Sequence, residues 1–185
     1  MNNGYQLRFR PFATLFTIAV FSIVVCGCVP ERRIYWAPIA EGGKLAIADR
    51  GGLGPKDKIQ FTLDTVRVFL SGDGNAVRGG LIIPKDRVAS FVSDQAELLD
   101  AISQITTKIT IEAEVLDSTY TQWVVRDPIE GVSGRQLSFS VLFGTGEKSH
   151  YSVKLPAIRV NGTVHDLPVV EFTKKEGFGV YPINN

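Results

Sequence analysis

Two cysteine thiols, Cys26 and Cys28, are the most reactive groups of this chain, and they lie two positions apart. No other cysteine occurs among the 185 residues. A disulfide within so short a spacing is disfavoured, because the bridge requires a particular Cα separation and side-chain direction. A zinc site is also disfavoured, because no histidine or further cysteine lies nearby in the sequence. The role of the pair therefore depends on the segment that carries it.

The pair ends an apolar segment at the start of the chain. Arg8 and Arg10 precede this segment, and no charged residue occurs from Pro11 to Pro30. A basic start, an apolar middle and small residues at the end are typical of a secretory signal peptide. The stretch Val25-Cys26-Gly27-Cys28 resembles the lipobox of bacterial lipoproteins, with a cysteine where the family usually has Ala or Ser.

The lipobox resemblance implies that residues 1–27 are a signal peptide and that Cys28 is the lipidation site. The sulfur would carry a diacylglyceryl group, and the new amino group would be acylated. Two alternatives remain: an uncleaved membrane-spanning anchor, which needs about 20 apolar residues, and a cleaved product without lipid. All three place the domain in the cell envelope. Val29 replaces the Asp of the familiar inner-membrane retention signal, which by analogy favours the outer membrane, with the domain facing the periplasm.

Composition excludes several classes of partner for the exported part. The whole chain has a formal net charge of +1, and the predicted signal peptide removes two arginines and no acid. A near-neutral domain has no electrostatic footprint for nucleic acid. It also has no disulfide, so its core must hold it together. We expect a lipid anchor and leader over residues 28–56 and one β-rich globular domain over residues 57–185.

The candidate catalytic residues are few. Glu112 and Glu114 share one face of a predicted strand, roughly 6.8 Å apart along the chain, which is near the carboxylate spacing of inverting glycosidases. A solvated strand face explains them more simply. Ser149 adjoins His150, but neighbours on a strand point to opposite faces, so they cannot form a nucleophile–base pair. A distant serine could still meet His150.

Two glycine-containing loops resemble ligand sites only weakly. Asp73 and Asn75 could begin a calcium loop, but Pro84 stands where the loop needs its late acidic residue. A turn is the simpler interpretation. Asn161-Gly162, which also begins a glycosylation sequon, is a strong hairpin signal between β-branched residues. No motif for a metal or cofactor emerges, and we expect neither.

Alternating apolar residues predict a mainly β fold. The clearest case is residues 108–115, and residues 137–143 repeat the pattern. The hairpin at Asn161-Gly162 should pair Ile158 with His165, and the same register sets His150 opposite position 173. The phase of alternation slips at residues 64–65, which suggests a bulge or a bend. We expect an antiparallel β-sandwich-like domain.

One short helix is predicted at about residues 94–105. Asp94 and Glu97 have the spacing of a capping box. Leu98, Ile102 and Ile105 contribute to an apolar stripe at helical spacing. The leader before residue 57 is broken by glycines and prolines, and it could be either docked strands or a flexible spacer. Tyr35 and Trp36 within it could touch the membrane interface or pack in the core.

These observations favour a lipid-anchored, non-enzymatic binding or assembly module for another envelope protein, which could include an inhibitory role. The open edges of a sheet can accept a partner strand. The alternatives are a cell-wall hydrolase, which would need Glu112, Glu114 or His150 to line a cleft, and a small-ligand or lipid-binding protein.

Overall fold

The computed structural model describes residues 28–47, 54–85, 87–116, 123–124, 130–131, 136–144 and 146–182. Within these residues the fold is mainly β and contains no helix. The strands found there are β1 (Cys28–Ile39), β2 (Lys44–Ala46), β3 (Lys58–Leu63), β4 (Val66–Gly72), β5 (Ala76–Ile82), β6 (Ala89–Phe91), β7 (Gln95–Asp100), β8 (Thr106–Leu116), β9 (Trp123–Val124), β10 (Glu130–Gly131), β11 (Gln136–Leu142), β12 (His150–Lys154), β13 (Ile158–Val160), β14 (Thr163–His165) and β15 (Val170–Pro182).

Eight of these strands form a closed antiparallel barrel in the order β1-β15-β12-β7-β8-β11-β5-β4. A pairing between Trp36 of β1 and Gly72 of β4 closes the ring. A side chain at Gly72 would collide with the rings of Tyr151 and Phe172, because an added Cβ would lie 2.3 Å and 2.7 Å from their atoms. Beyond β4 the sheet continues outward through β3 and β2, and β9 pairs with β8.

Alternate side chains of the barrel strands fill its interior. In β4 the buried residues are Val66, Val68 and Leu70, and the intervening Arg67 is exposed. Strand β5 makes room for the large ring of Phe139 with Gly79, where an added Cβ would lie 2.5 Å from that ring. Because inward residues of a small barrel must fit its bore, such pairing of a small and a large residue stabilises closure.

A second, smaller sheet, in the order β10-β6-β13-β14, lies next to one end of the barrel. Its residue Phe91 packs edge-to-face on Phe139 of the barrel, with ring centroids 5.1 Å apart. Ile83, Leu155 and Ile158, in the connections to this sheet and within it, are also buried. The packing fills this end, which we call the covered end.

The opposite end, which we call the mouth, is formed by the β4–β5 turn, the turn after β7 and the described residues of the segment after β11 (143–144 and 146–149). Backbone bonds join two of these segments, from Lys148 N to Gly74 O at 2.9 Å and from Phe143 N to Asn75 O at 3.0 Å. The indole of Trp36 donates to Lys148 O at 2.8 Å. The mouth is therefore a defined structure built from widely separated parts of the chain.

The predicted helix at 94–105 is wrong. Residues 95–100 form β7, which pairs with β8 on one side and β12 on the other. Ile102 and Ile105, assigned to the apolar stripe, are 80% and 62% exposed. Helix propensity is a weak preference, and pairing on both edges of β7 outweighs it. The sandwich is not confirmed, because the main sheet closes on itself.

The leader contains docked strands. Residues 28–39 pair along their whole length with residues 171–182, and Lys44–Ala46 pairs with β3. The described part of the leader therefore belongs to the same sheet as the domain.

Several local predictions are confirmed. Residues 108–115 lie in β8, and the slip at residues 64–65 is a tight turn in which Asp64 has a φ of 56°. Asn161 and Gly162 have φ values of 49° and 88°, and the hairpin pairs Ile158 with His165. His150 lies opposite Thr173, as the register predicted.

Candidate functional site

A cleft of about 240 Å³ lies at the mouth of the barrel. Its walls are the inward faces of β7 and β8, the turn that joins them and the segment after β11. The lining combines four apolar side chains with four polar ones, and two of the polar ones form a charged pair. The lining residues are Leu98, Asp100, Ser103, Ile105, Thr107, Ile109, Phe143 and Lys148.

The charged pair is Asp100 and Lys148, whose Oδ2 and Nζ atoms are 2.5 Å apart. The other carboxylate oxygen of Asp100 accepts from the backbone N–H groups of Ile102 and Ser103, at 2.9 and 3.1 Å. The hydrogen bond from Lys148, followed by those from Ser103 and Ile102, lowers the pKa of Asp100 to about 2. The cleft therefore keeps a fixed carboxylate beside an ammonium group at neutral pH.

A second set of contacts holds Lys148 in place. Its carbonyl oxygen accepts the hydrogen bond from Trp36, and the ammonium group of Lys174 lies 5.5 Å from the centre of the Trp36 ring. Lys174 also bonds to Glu147 at 3.0 Å. The charged edge of the cleft is thus positioned by the N-terminal and C-terminal strands of the barrel.

Three aromatic rings pack together at the cleft: Tyr151 stacks on Phe172 and meets Phe143, which lines the cleft, at a tilt of 59°. The Tyr151 ring lies 4.9 Å from Phe143 and 5.2 Å from Phe172, measured between centroids. Burial raises the pKa of the Tyr151 hydroxyl well above its ordinary value, and the charge of Asp73 adds to the effect. Tyr151 therefore stays neutral, and the site offers an apolar surface and an ion pair.

Because of Asp100 at the mouth, the free energy of unfolding should depend on pH in the acidic range. Because the folded pKa of Asp100 is lowered from 3.8 to about 2, its ionisation stabilises the fold above pH 3.8, and this contribution is lost as the pH falls towards 2. We expect Asp100→Asn to be destabilising at pH 7 and nearly neutral at pH 2. Urea unfolding at pH 7, 4, 3 and 2 measures this. If the free energies of unfolding of Asp100→Asn and wild type differ by the same amount at all four pH values, the lowered pKa of Asp100 is contradicted.

The predicted catalytic residues that the structure describes do not lie together. Glu112 is exposed on the outer face of β8, and strand β7 separates it from His150 in β12. The side chain of Glu114 lies outside the described residues. Ser149 is exposed in the segment before β12. Of the described side chains among these candidates, neither Glu112 nor His150 lines the cleft.

The imidazole of His150 has one partner on the outer face of the barrel. Its Nε2 atom lies 2.6 Å from Glu171 Oε1, and both side chains are nearly half exposed. Among the described side chains, the structure records no hydroxyl bonded to this ring. His165 lies in β14, in the other sheet, so the two histidines are apart as predicted.

Asp73 acts in a turn, as predicted. Its Oδ1 atom accepts from the N–H groups of Asn75 and Ala76, at 3.1 and 2.9 Å, and its other oxygen pairs with Arg78. In the described ranges, no three His, Cys, Asp or Glu residues are grouped as metal ligands would be. The carboxylate therefore shapes the β4–β5 connection at the rim of the mouth.

The predicted lipidation residue, Cys28, is the first residue of β1 and lies opposite Pro182 of β15. The predicted signal peptide, with Cys26, falls outside the described residues. Of the two aromatic residues in the leader, Trp36 is buried in the mouth. Tyr35 places its ring over Gly177, where an added Cβ would lie 3.1 Å away.

Sequence reasoning missed the mouth, because Asp100 and Lys148 are 48 positions apart. One local signal was present. Aspartate favours Asx turns, in which its carboxylate accepts from backbone N–H groups a few residues further on. Asp100 forms such a turn at the end of β7 with the N–H groups of Ile102 and Ser103. This preference of aspartate favours an end of the secondary-structure element at residue 100, before the end of the predicted helix at about 105.

Comparison with known proteins gives no similar family model, no similar curated protein and no similar solved structure. In the part of the chain that the structure describes, no helix has the length and hydropathy needed to span a bilayer.

Proposed function

We propose that this is a lipid-anchored cell-envelope protein that works without catalysis, as a binding module for another envelope protein. The observation that carries the proposal is the mouth, where Ile102 and Ile105 are exposed at a cleft whose lining is half apolar. Exposed apolar groups that cluster at a cleft are typical of interaction sites. The Asp100–Lys148 pair at its edge supplies the polar contacts that orient a partner.

A binding role fits the chemistry of the mouth better than a hydrolytic one. Among the described residues that line the cleft, the ionisable groups are an acid with a low pKa, Asp100, and the lysine paired with it. A general acid needs a pKa near the working pH, and Asp100 has the opposite shift. A cell-wall hydrolase therefore has no support from this cleft.

Anchoring through Cys28 is supported by the sequence that precedes the barrel. The uncharged segment from Pro11 to Pro30 runs directly into β1. We propose acyl chains on Cys28 as the membrane contact, with the domain in the periplasm and the outer membrane as the favoured site.

A photo-crosslinking residue at position 105 tests the binding proposal in cells. We expect a crosslinked product of defined mass, which Lys148→Glu should abolish because it reverses the charge at the edge of the cleft. The matched control is the same residue at position 164, which is 51% exposed on the second sheet, whereas Ile105 is 62% exposed. Equal products at both positions, or a product indifferent to Lys148→Glu, would contradict docking at the mouth.

The cleft itself favours a second candidate, binding of a small amphiphile. Its volume of about 240 Å³ is smaller than most drug-sized pockets, which begin at roughly 300 Å³. It would accept the end of an acyl chain, with a polar group beside Lys148. Native mass spectrometry of protein purified from membranes tests this, because a bound amphiphile adds a discrete mass that Ile109→Trp should remove by filling the cleft.

A further inference from the structure

The first and last strands of the barrel continue together past the mouth. Strands β1 and β15 pair from Cys28–Pro182 to Ile39–Glu171, whereas β12 reaches β15 only from Val170 to Thr173. Residues 28–35 and 175–182 therefore form a two-stranded ribbon. At about 3.3 Å per residue, the ribbon extends roughly 26 Å beyond Trp36.

The two faces of the ribbon differ. Paired residues of antiparallel strands point to the same side, so Arg32 and Phe178 share a face with Ile34 and Glu176. On that face Phe178 is 77% exposed and Ile34 is 50% exposed, and an ion pair joins Arg32 to Glu176. We call it the Phe178 face.

On the opposite face, the ring of Tyr35 lies against Gly177, and Pro55 also approaches that glycine. Lys175, the partner of Tyr35 in the ladder, is exposed on this side. On the opposite face, Tyr35 and Pro55 therefore cover Gly177, whereas the ring of Phe178 is exposed on the Phe178 face.

The chain before the ribbon indicates what the Phe178 face contacts. The uncharged segment from Pro11 to Pro30 ends in the first residues of β1. Whether this segment is cleaved and replaced by acyl chains on Cys28 or kept as an anchor, the bilayer lies at the end of the ribbon. Exposed phenylalanine side chains of membrane-surface segments bury at the boundary between head groups and acyl chains, and arginine reaches the head groups.

We propose that the ribbon contacts the phospholipid bilayer through its Phe178 face and thereby holds the mouth of the barrel towards the membrane. The proposal rests on the membrane anchoring in the proposed function, and it adds an orientation. The mouth and the ribbon lie at the same end of the barrel, so a ribbon fixed at the bilayer places the cleft within roughly 26 Å of lipid. A partner at the mouth must then approach close to the membrane.

The test uses full-length protein, processed in cells and reconstituted in vesicles of phosphatidylethanolamine and phosphatidylglycerol. A Cys26→Ala background carries Phe178→Cys, Ile34→Cys or Lys175→Cys, each labelled with an environment-sensitive dye. The first two positions lie on the Phe178 face. Lys175, one position along the ladder from the Ile34–Glu176 pair, is on the opposite face and is the control matched to Ile34. Iodide in the aqueous phase reports how exposed each dye is.

We expect dyes at positions 178 and 34 to be quenched several-fold less than the dye at position 175, with emission shifted to shorter wavelength. Equal quenching in protein that floats with the vesicles would overturn the orientation and leave the anchoring intact. Failure to float with the vesicles would overturn both. If the dyes lose their protection from iodide when the protein is diluted in the membrane, the Phe178 face contacts a second copy of the protein and not lipid. That result would overturn the proposal.

Discussion

Replacing Phe172 with alanine should lower the free energy of unfolding by about 3–5 kcal/mol. Phe172 is fully buried in β15, and its ring stacks on Tyr151 at 5.2 Å. Truncation removes apolar contacts and leaves a cavity, because Tyr151 is held from the other side by Phe143 and cannot move freely into the space. The same ring packs over Gly72, where the barrel closes.

Urea unfolding of the chain from residue 28, with Cys28→Ser to prevent oxidation, measures this loss. The matched control is Phe178→Ala, in the same strand but 77% exposed, which should change the free energy by less than about 0.5 kcal/mol. Similar losses for the two variants would show that the ring of Phe172 is not a core residue, and the barrel closure at Gly72 would need revision.

Replacing Cys28 with alanine should abolish lipid attachment and processing. The lipobox resemblance assigns the thioether to this sulfur, and no other cysteine remains after cleavage. Each buried methylene of an acyl chain contributes roughly 0.8 kcal/mol to membrane binding, and stable anchoring needs at least two chains. Loss of the attachment site therefore removes the acyl anchor, and the unprocessed protein keeps the apolar segment within residues 1–27.

The mass of the membrane-extracted protein tests this directly. Wild type should begin at residue 28 and carry acyl chains, whereas Cys28→Ala should keep its first 27 residues and no lipid. Cys26→Ala is the control, because alanine is usual at that lipobox position, and it should be processed like wild type. An unmodified chain intact from Met1 in all three proteins would identify the segment as a membrane helix and remove the argument for the outer membrane.

Local features of the β fold could be predicted from the sequence by itself. The alternation in residues 108–115, the tight turn at Asn161-Gly162 and the register that sets His150 opposite Thr173 are all present in the structure. These features depend on side-chain period and turn chemistry, which act between neighbours along the chain. The candidate lipidation site at Cys28 is of the same kind, since a short contiguous motif defines it, and it stays a prediction.

The tertiary structure decided what local pattern left open. Residues 95–100 have a plausible helical stripe, yet they form a strand because β8 and β12 pair with both of their edges. The ring closes because Trp36 meets Gly72, and the charged edge of the cleft exists because Lys148 reaches Asp100. The pairing of β7 with β12, the Trp36–Gly72 contact and the Lys148–Asp100 pair join residues far apart in the sequence, and the free energy that favours them is available only when the barrel is assembled.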